Sequence, residues 1–117
     1  MKIDQVSLLV TCSVDMPLKQ LEKQLSQQGY TLGYRPIAKR SLTLLQALEK
    51  RVPNRLSPRY GGIEDICVSI RVIRKGQIIA TRNVPRAATG PDFKKIFIGS
   101  RGRYGKIIEA TLRIHHA

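Results

Sequence analysis

The apolar positions of this chain switch between two periods. Residues 6 to 13 (VSLLVTCS) form a β-rich apolar run that predicts a strand, and Asp15 and Pro17 after it supply a helix N-cap and an early-turn proline. Leu18, Leu21 and Leu25 then recur at helical spacing with Lys19, Lys23 and Gln24 on the other side. With Gly29 placed as a C-terminal cap, the spacing predicts an amphipathic helix over about residues 16 to 28. Leu42, Leu45 and Leu48 repeat the period before Pro53 and predict a short surface helix with an apolar underside. Between Val52 and Gly62, the residues Pro53, Asn54, Ser57, Pro58, Gly61 and Gly62 are turn chemistry without a periodic apolar face, so a long basic loop is expected.

Ile66, Val68, Ile70 and Val72 alternate with Cys67, Ser69 and Arg71, the pattern of a half-buried strand. Lys75-Gly76 reads as a hairpin turn, and Ile78 to Arg82 as the returning strand. Pro85 to Pro91 (PRAATGP) is a loop that pairs poorly, and Asp92 caps a short helix carrying Phe93, Ile96 and Phe97. After the glycine-punctuated loop from Gly99 to Gly105, Ile108, Ala110, Leu112 and Ile114 alternate as a last strand. The order predicts an α+β fold, a mostly antiparallel sheet with helices packed on one face, as one domain over residues 1–117. Repeats, low-complexity tracts and an internal boundary are all lacking.

Charge adds a second constraint. Twenty-one Lys and Arg against eight Asp and Glu give a net charge of +13, which attracts polyanions: nucleic acid, an acidic protein surface or a phosphate-bearing cofactor. Six aromatic residues and no Trp leave few platforms for stacking single-stranded bases. No apolar run approaches the roughly 18 residues that span a bilayer, and the first residues lack a secretion signal, so a cytoplasmic protein without a membrane span is expected. Cys12 and Cys67 sit inside apolar strand-like runs and read as buried free thiols.

The segment Arg86 to Ile114 (RAATGPDFKKIFIGSRGRYGKIIEATLRI) resembles R-S-A-x-G-P-D-L-x-x-L-F-x-G-S-E-G-T-L-G-I-I-T-E-A-T-L-R-I, a signature of FAD-linked oxidases of the vanillyl-alcohol oxidase type. Ser57 to Asp65 (SPRYGGIED) is similar to that family's S-x-x-Y-G-x-I-E-D, and Leu21 to Gly33 (LEKQLSQQGYTLG) to its L-E-x-x-L-x-x-x-G-L-T-L-G. The resemblance covers almost the whole chain and points to the alkylglycerone-phosphate synthase, glycolate oxidase and D-lactate dehydrogenase branch. It implies the second subdomain of a PCMH-type FAD-binding domain. It also implies FAD as cofactor, with Ser57, Tyr60 and Gly61 toward the diphosphate and Gly102, Gly105, Ile107 and Ile108 laying backbone against the flavin or adenosine portion. Glycines suit that role because main chain can approach a large cofactor and its N–H groups can hold phosphate oxygens.

Two departures matter. On the resemblance, the first FAD subdomain with its own phosphate loop, and the later substrate domain, are not among these 117 residues. Further, the family's T-L-G-G-W-x-A-T-x-x-S-G falls on Thr43 to Asn54 (TLLQALEKRVPN), so Leu45 and Gln46 replace a glycine pair and Pro53 and Asn54 replace Ser-Gly. Between Gly99 and Gly105 stand Arg101, Arg103 and Tyr104, with Lys106 following, where an arginine pair can grip phosphate or simply be solvated. Arg51, Arg55 and Arg59 carry the same ambiguity. His115 and His116 are adjacent, point to opposite faces of a strand, cannot share a metal and read as a frayed terminus. Glu64, Asp65 and Glu109 lack a His or third carboxylate at useful spacing, so no catalytic residue is expected. Three readings follow: a partial FAD-binding domain not catalytic by itself, a cofactor-free relative, or a basic module for nucleic acid or another polyanion. A homodimer, or a partner subunit supplying the first subdomain, is expected to cover the surface such a half-domain leaves open.

Overall fold

The computed structural model describes residues 1–38, 40–80, 98–99 and 105–117. The expected loop from Pro85 to Pro91, the expected helix with Phe93, Ile96 and Phe97, the end of the returning strand at Arg82, and Arg101, Gly102, Arg103 and Tyr104 lie outside the described residues.

Among the described residues the chain forms β1 (Lys2–Asp4), β2 (Leu9–Ser13), α1 (Leu18–Ser26), β3 (Tyr30–Thr31), α2 (Leu44–Lys50), α3 (Ser57–Tyr60), α4 (Ile63–Ile66), β4 (Cys67–Arg74), β5 (Gln77–Ala80), β6 (Lys106–Arg113) and β7 (His115–His116). Five strands make one sheet in the order β1-β2-β6-β4-β5, every neighbouring pair antiparallel, and β3 pairs with β7 in a second small sheet. The expected α+β architecture is therefore present. β6 is central: Val10 and Cys12 of β2 lie opposite its Leu112 and Ala110, and Cys67 and Val72 of β4 opposite its Leu112 and Ile107.

Alternation along these strands sends one set of side chains to the helices. Val10, Cys12, Cys67, Ile70, Val72, Ile107, Ala110 and Leu112 pack in one core with Leu18, Leu21 and Leu25 of α1, Leu44, Ala47 and Leu48 of α2, and Ile63 and Ile66 of α4. The other sheet face carries polar pairs between β2, β6 and β4, while the register partners Ile73 and Ile78 of β4 and β5 are exposed. There Thr11 and Thr111 share a hydroxyl hydrogen bond of 2.9 Å, and Arg71 lies 3.9 Å from its register partner Glu109. Both cysteines are free and buried, as their apolar surroundings predict.

Several expectations need correction. The N-terminal apolar run is strand only from Leu9, and Val6 is 96% exposed. The cause is Asp4, whose Oδ1 accepts the amides of Val6 and Ser7 at 3.0 and 3.1 Å, an Asx-type turn that folds β1 back on β2. Asp15 does not cap α1. Pro17 holds the N-cap position with no side-chain hydrogen bond, and the first helical amide, that of Leu18, donates instead to the Leu42 carbonyl at 2.9 Å. The long loop after Val52 contains two helical turns, α3 and α4. The second forms because Asp65 and Ile66 donate backbone N–H to the Gly62 carbonyl while Ile63 and Ile66 anchor in the core. In β6 the buried positions start at Ile107, since Ile108 is the extra residue of a bulge between the Val72–Ile107 and Arg71–Glu109 pairs.

The hairpin reads as expected. Lys75 and Gly76 both take positive φ (51° and 77°), as a two-residue turn matched to strand twist requires.

Candidate functional site

The residues assigned to a cofactor by resemblance fall into two groups at opposite ends of β6. The first surrounds α3. Ser57 opens that helix, Tyr60 closes it, and Gly61 follows with φ +82°, a conformation that side chains resist. A Cβ at Gly61 would also stand 3.0 Å from the Cβ and Oδ2 of Asp65. Tyr60 lies over Gly33, with a ring centroid 4.8 Å from that of His115 and the Arg59 guanidinium 5.1 Å above its own.

Asn54 holds this group together, a role beyond the turn residue and the replaced glycine that the sequence marks there. It is 3% exposed and uses both ends of its amide. Its Oδ1 accepts the N–H groups of Arg35 at 2.8 Å and Leu56 at 3.0 Å, while its Nδ2 donates to the carbonyls of Gly33 at 2.9 Å and Gly61 at 2.8 Å. Four partners satisfy an amide's full capacity, and burial makes each costly to lose. Its only sequence signal is a turn-forming Asn after Pro53, since three of the four partners lie seven or more residues away.

The second group is the entry to β6. Gly105 has φ +154°, a region favoured by glycine, and leads directly into the strand. Ile107 is 1% exposed with its side chain in the core, leaving only its backbone for other contacts, and the carbonyl of Ile108 accepts the Val14 amide at 3.3 Å. Gly102 lies outside the described residues, as does the Ser57 side chain. Since Leu112 pairs with Cys67 directly after α4, the seven residue steps from Gly105 to Leu112 separate the groups by roughly 23 Å at ~3.3 Å per step. Only a ligand extended along the sheet touches both.

The segment where the family carries glycines is helix here. Thr43 and Gln46 form a capping box: Oγ1 of Thr43 accepts the Gln46 amide at 3.2 Å, and Oε1 of Gln46 accepts the Thr43 amide at 3.0 Å. Gln46 is thus the third residue of α2, and Leu45 packs partly buried against the core. The three loop arginines separate into three roles. Arg51 ends α2 in a left-handed conformation and donates Nη2 to the Ile98 carbonyl at 3.0 Å. Arg59 covers Tyr60, and Arg55 donates its backbone N–H to the Arg35 carbonyl at 2.8 Å and faces a cleft.

The terminal histidines are a further correction. They are not frayed: as β7 they pair with Tyr30 and Thr31, His116 against the Tyr30 ring at 5.4 Å and His115 against Tyr60. They do face opposite ways, and no cluster of three His, Cys, Asp or Glu residues able to hold a metal occurs among the described residues. Burial pushes the Cys12 thiol up to about 11 and raises the Tyr34 phenol, whose hydroxyl donates to the Val52 carbonyl at 2.7 Å. Neither group is an acid or base suited to neutral pH.

Comparison with known proteins points one way. The FAD-linked oxidoreductase YgcU of Escherichia coli K12 is 35% identical over 113 residues, a match covering 96% of this chain and 23% of that protein. Alkyldihydroxyacetonephosphate synthase of Dictyostelium discoideum is 34% identical over 113 residues, covering 97% of this chain and 18% of the synthase. A solved structure of alkyldihydroxyacetonephosphate synthase superposes with a TM-score of 0.87 at 32% identity, over 99% of this chain and 21% of the other. At 25% identity over 116 residues, a mitochondrial cytochrome D-lactate dehydrogenase of Saccharomyces cerevisiae is a more distant relative. No protein-family model matches the chain. This chain spans about a fifth of the length of these relatives, and over that span it is homologous to the FAD-linked oxidoreductases.

Proposed function

We propose that this chain is the second half of an FAD-binding domain, which forms one wall of a flavin-nucleotide groove and binds FAD when a complementary first subdomain supplies the other wall. The observation that carries the reading is the glycine entry at Gly105 into the central strand β6, in a chain related along nearly its whole length to FAD-linked proteins. On this reading the dinucleotide lies lengthwise along the sheet, with its phosphates toward Tyr60 and Gly61 and another portion against the backbone of Gly105, Ile107 and Ile108. The bound flavin supplies the oxidation chemistry on this reading, and the residues of this chain bind and orient it.

The residues present fit such a group in part. Gly105 enters β6 at a φ that favours glycine, whereas the space beside Gly61 is filled by Asp65, and Leu45 and Gln46 put side chains where the family has glycines. The α2 capping box favours a second reading, a relative that folds without cofactor. Co-expression with the first FAD subdomain of YgcU separates the two. The first reading predicts a yellow complex whose flavin absorbance survives dialysis; no complex, or a colourless one, overturns it in favour of the second.

A further inference from the structure

A cleft of about 780 Å³ opens between α1 and the segment from Tyr34 to Leu42, within the roughly 300–1,000 Å³ range of small-molecule sites. It contains none of the residues assigned to a cofactor by resemblance, although its Arg35 is tied to the first of those groups through Asn54. Among the described residues, five cationic side chains line it (Lys19, Lys23, Arg35, Arg40 and Arg55) against a single carboxylate, Glu22. That carboxylate is already engaged, accepting the Thr31 hydroxyl and the Leu32 amide at 3.0 Å. Among the described residues none of the five cations is salt-bridged to a carboxylate, and all five are exposed.

The backbone sets these charges side by side. Lys19 and Lys23 are four residues apart on α1 and so share a helix face, a spacing at which like charges repel. Arg35 and Arg55 are joined main chain to main chain: the Arg55 amide donates to the Arg35 carbonyl at 2.8 Å, beside the bridge between Pro36 and Asn54. Asn54 fixes that junction by accepting the Arg35 amide. Two like-charged pairs thus meet at one concavity, where a multiply charged anion would relieve the repulsion and offer the guanidinium forks paired oxygens.

We propose that this cleft binds a diphosphate-bearing small molecule, its phosphate oxygens held by Lys19 and Lys23 from α1 and by Arg35 and Arg55 from the opposite side. The proposal rests on the cleft's own charges and does not depend on the flavin reading, so its first probe is inorganic pyrophosphate. Calorimetric titration of the chain is expected to give one saturable site. Removing either pair, as Arg35→Gln with Arg55→Gln or Lys19→Gln with Lys23→Gln, is expected to weaken it about tenfold or more, while the exposed control pair Lys2→Gln with Arg113→Gln changes it by less than about twofold. Arg35 and Arg55 make their structural contacts through backbone, and the lysines lie on an exposed helix face, so one pair reads the site should the other perturb folding. Absence of saturable binding, or a control pair that costs as much as the cleft pairs, overturns the proposal and leaves only diffuse attraction by the net charge. ADP and FAD titrated against the same variants identify the source of the diphosphate. Parallel loss of FAD affinity assigns the cleft to a dinucleotide and moves the diphosphate away from Tyr60 and Gly61, and loss confined to ADP and pyrophosphate assigns it to a free nucleotide; either upholds the cleft site. Riboflavin, which carries no phosphate, is expected to ignore all the variants.

Discussion

Gly33 lies directly beneath the ring of Tyr60, so closely that a Cβ at Gly33 would sit 2.7 Å from its Cγ and Cδ1. Gly33 also has φ +70°. Both facts oppose a side chain, and Gly33→Ala is expected to lower stability by about 2 kcal/mol in urea unfolding. Pairing it with Tyr60→Leu should recover the part due to the clash and leave the part due to the backbone. A neutral Gly33→Ala would show that this packing is looser than the structure has it.

Asn54 is the second weak point. Its four hydrogen bonds join Gly33, Arg35, Leu56 and Gly61. Asn54→Gly, which restores the residue the family carries, is expected to cost about 2–4 kcal/mol because buried main-chain groups lose their partners. If instead Asn54→Gly unfolds at the same urea concentration as the parent, the amide is dispensable.

The α2 cap ties stability to the cofactor question. Thr43→Ala is expected to cost about 1 kcal/mol. Replacing Leu45 and Gln46 together by glycine should cost about 2 kcal/mol of helix stability, at roughly 1 kcal/mol per glycine. The same double change is expected to tighten FAD binding in a complex with the first subdomain, by clearing the approach those side chains fill. Looser FAD binding in the double variant would show that α2 does not border the cofactor.

Cys12 sets an alkaline limit. Its thiol is raised in the folded chain to about 11 from an ordinary value near 9.0, so the unfolded state releases a proton that the folded state keeps. Stability from this group is full below pH 9 and is lost as pH rises from about 9 toward 11, by up to about 2–3 kcal/mol. Relative to Cys12→Ala, the parent should lose stability over that window, and thiol reagents at pH 8 should label Cys12 only as fast as the protein unfolds. Rapid labelling of the native chain would contradict the burial.

Local signals carried much of the fold. The β4–β5 hairpin follows from Lys75-Gly76 between alternating residues, and α1 from three leucines at helical spacing, although its C-cap is Gln27 and Gly29, with φ +83°, lies two residues beyond. What failed depended on partners far along the chain or on side chains turning back on their own backbone. Asp4 converts an apolar run into a turn, and the Leu42 carbonyl serves α1 where Asp15 was expected to. Register across β4 decides that Ile107, rather than Ile108, faces the core. The candidate site was legible as a set of glycines, whereas the amide that binds two of its turns, Asn54, was not. Its partners Gly33 and Gly61 lie 21 and 7 residues away and become neighbours only in the fold.

The most direct test is a fluorescence titration of FAD with this chain mixed with the first FAD subdomain of YgcU, repeated with Gly105→Val, both proteins checked for native circular dichroism. Saturable quenching that needs both halves, and that weakens about tenfold or more with Gly105→Val, is the predicted result, since a branched side chain would block backbone approach at the entry to β6. Saturable quenching that persists unchanged in Gly105→Val, or no quenching by the mixed halves, would contradict it.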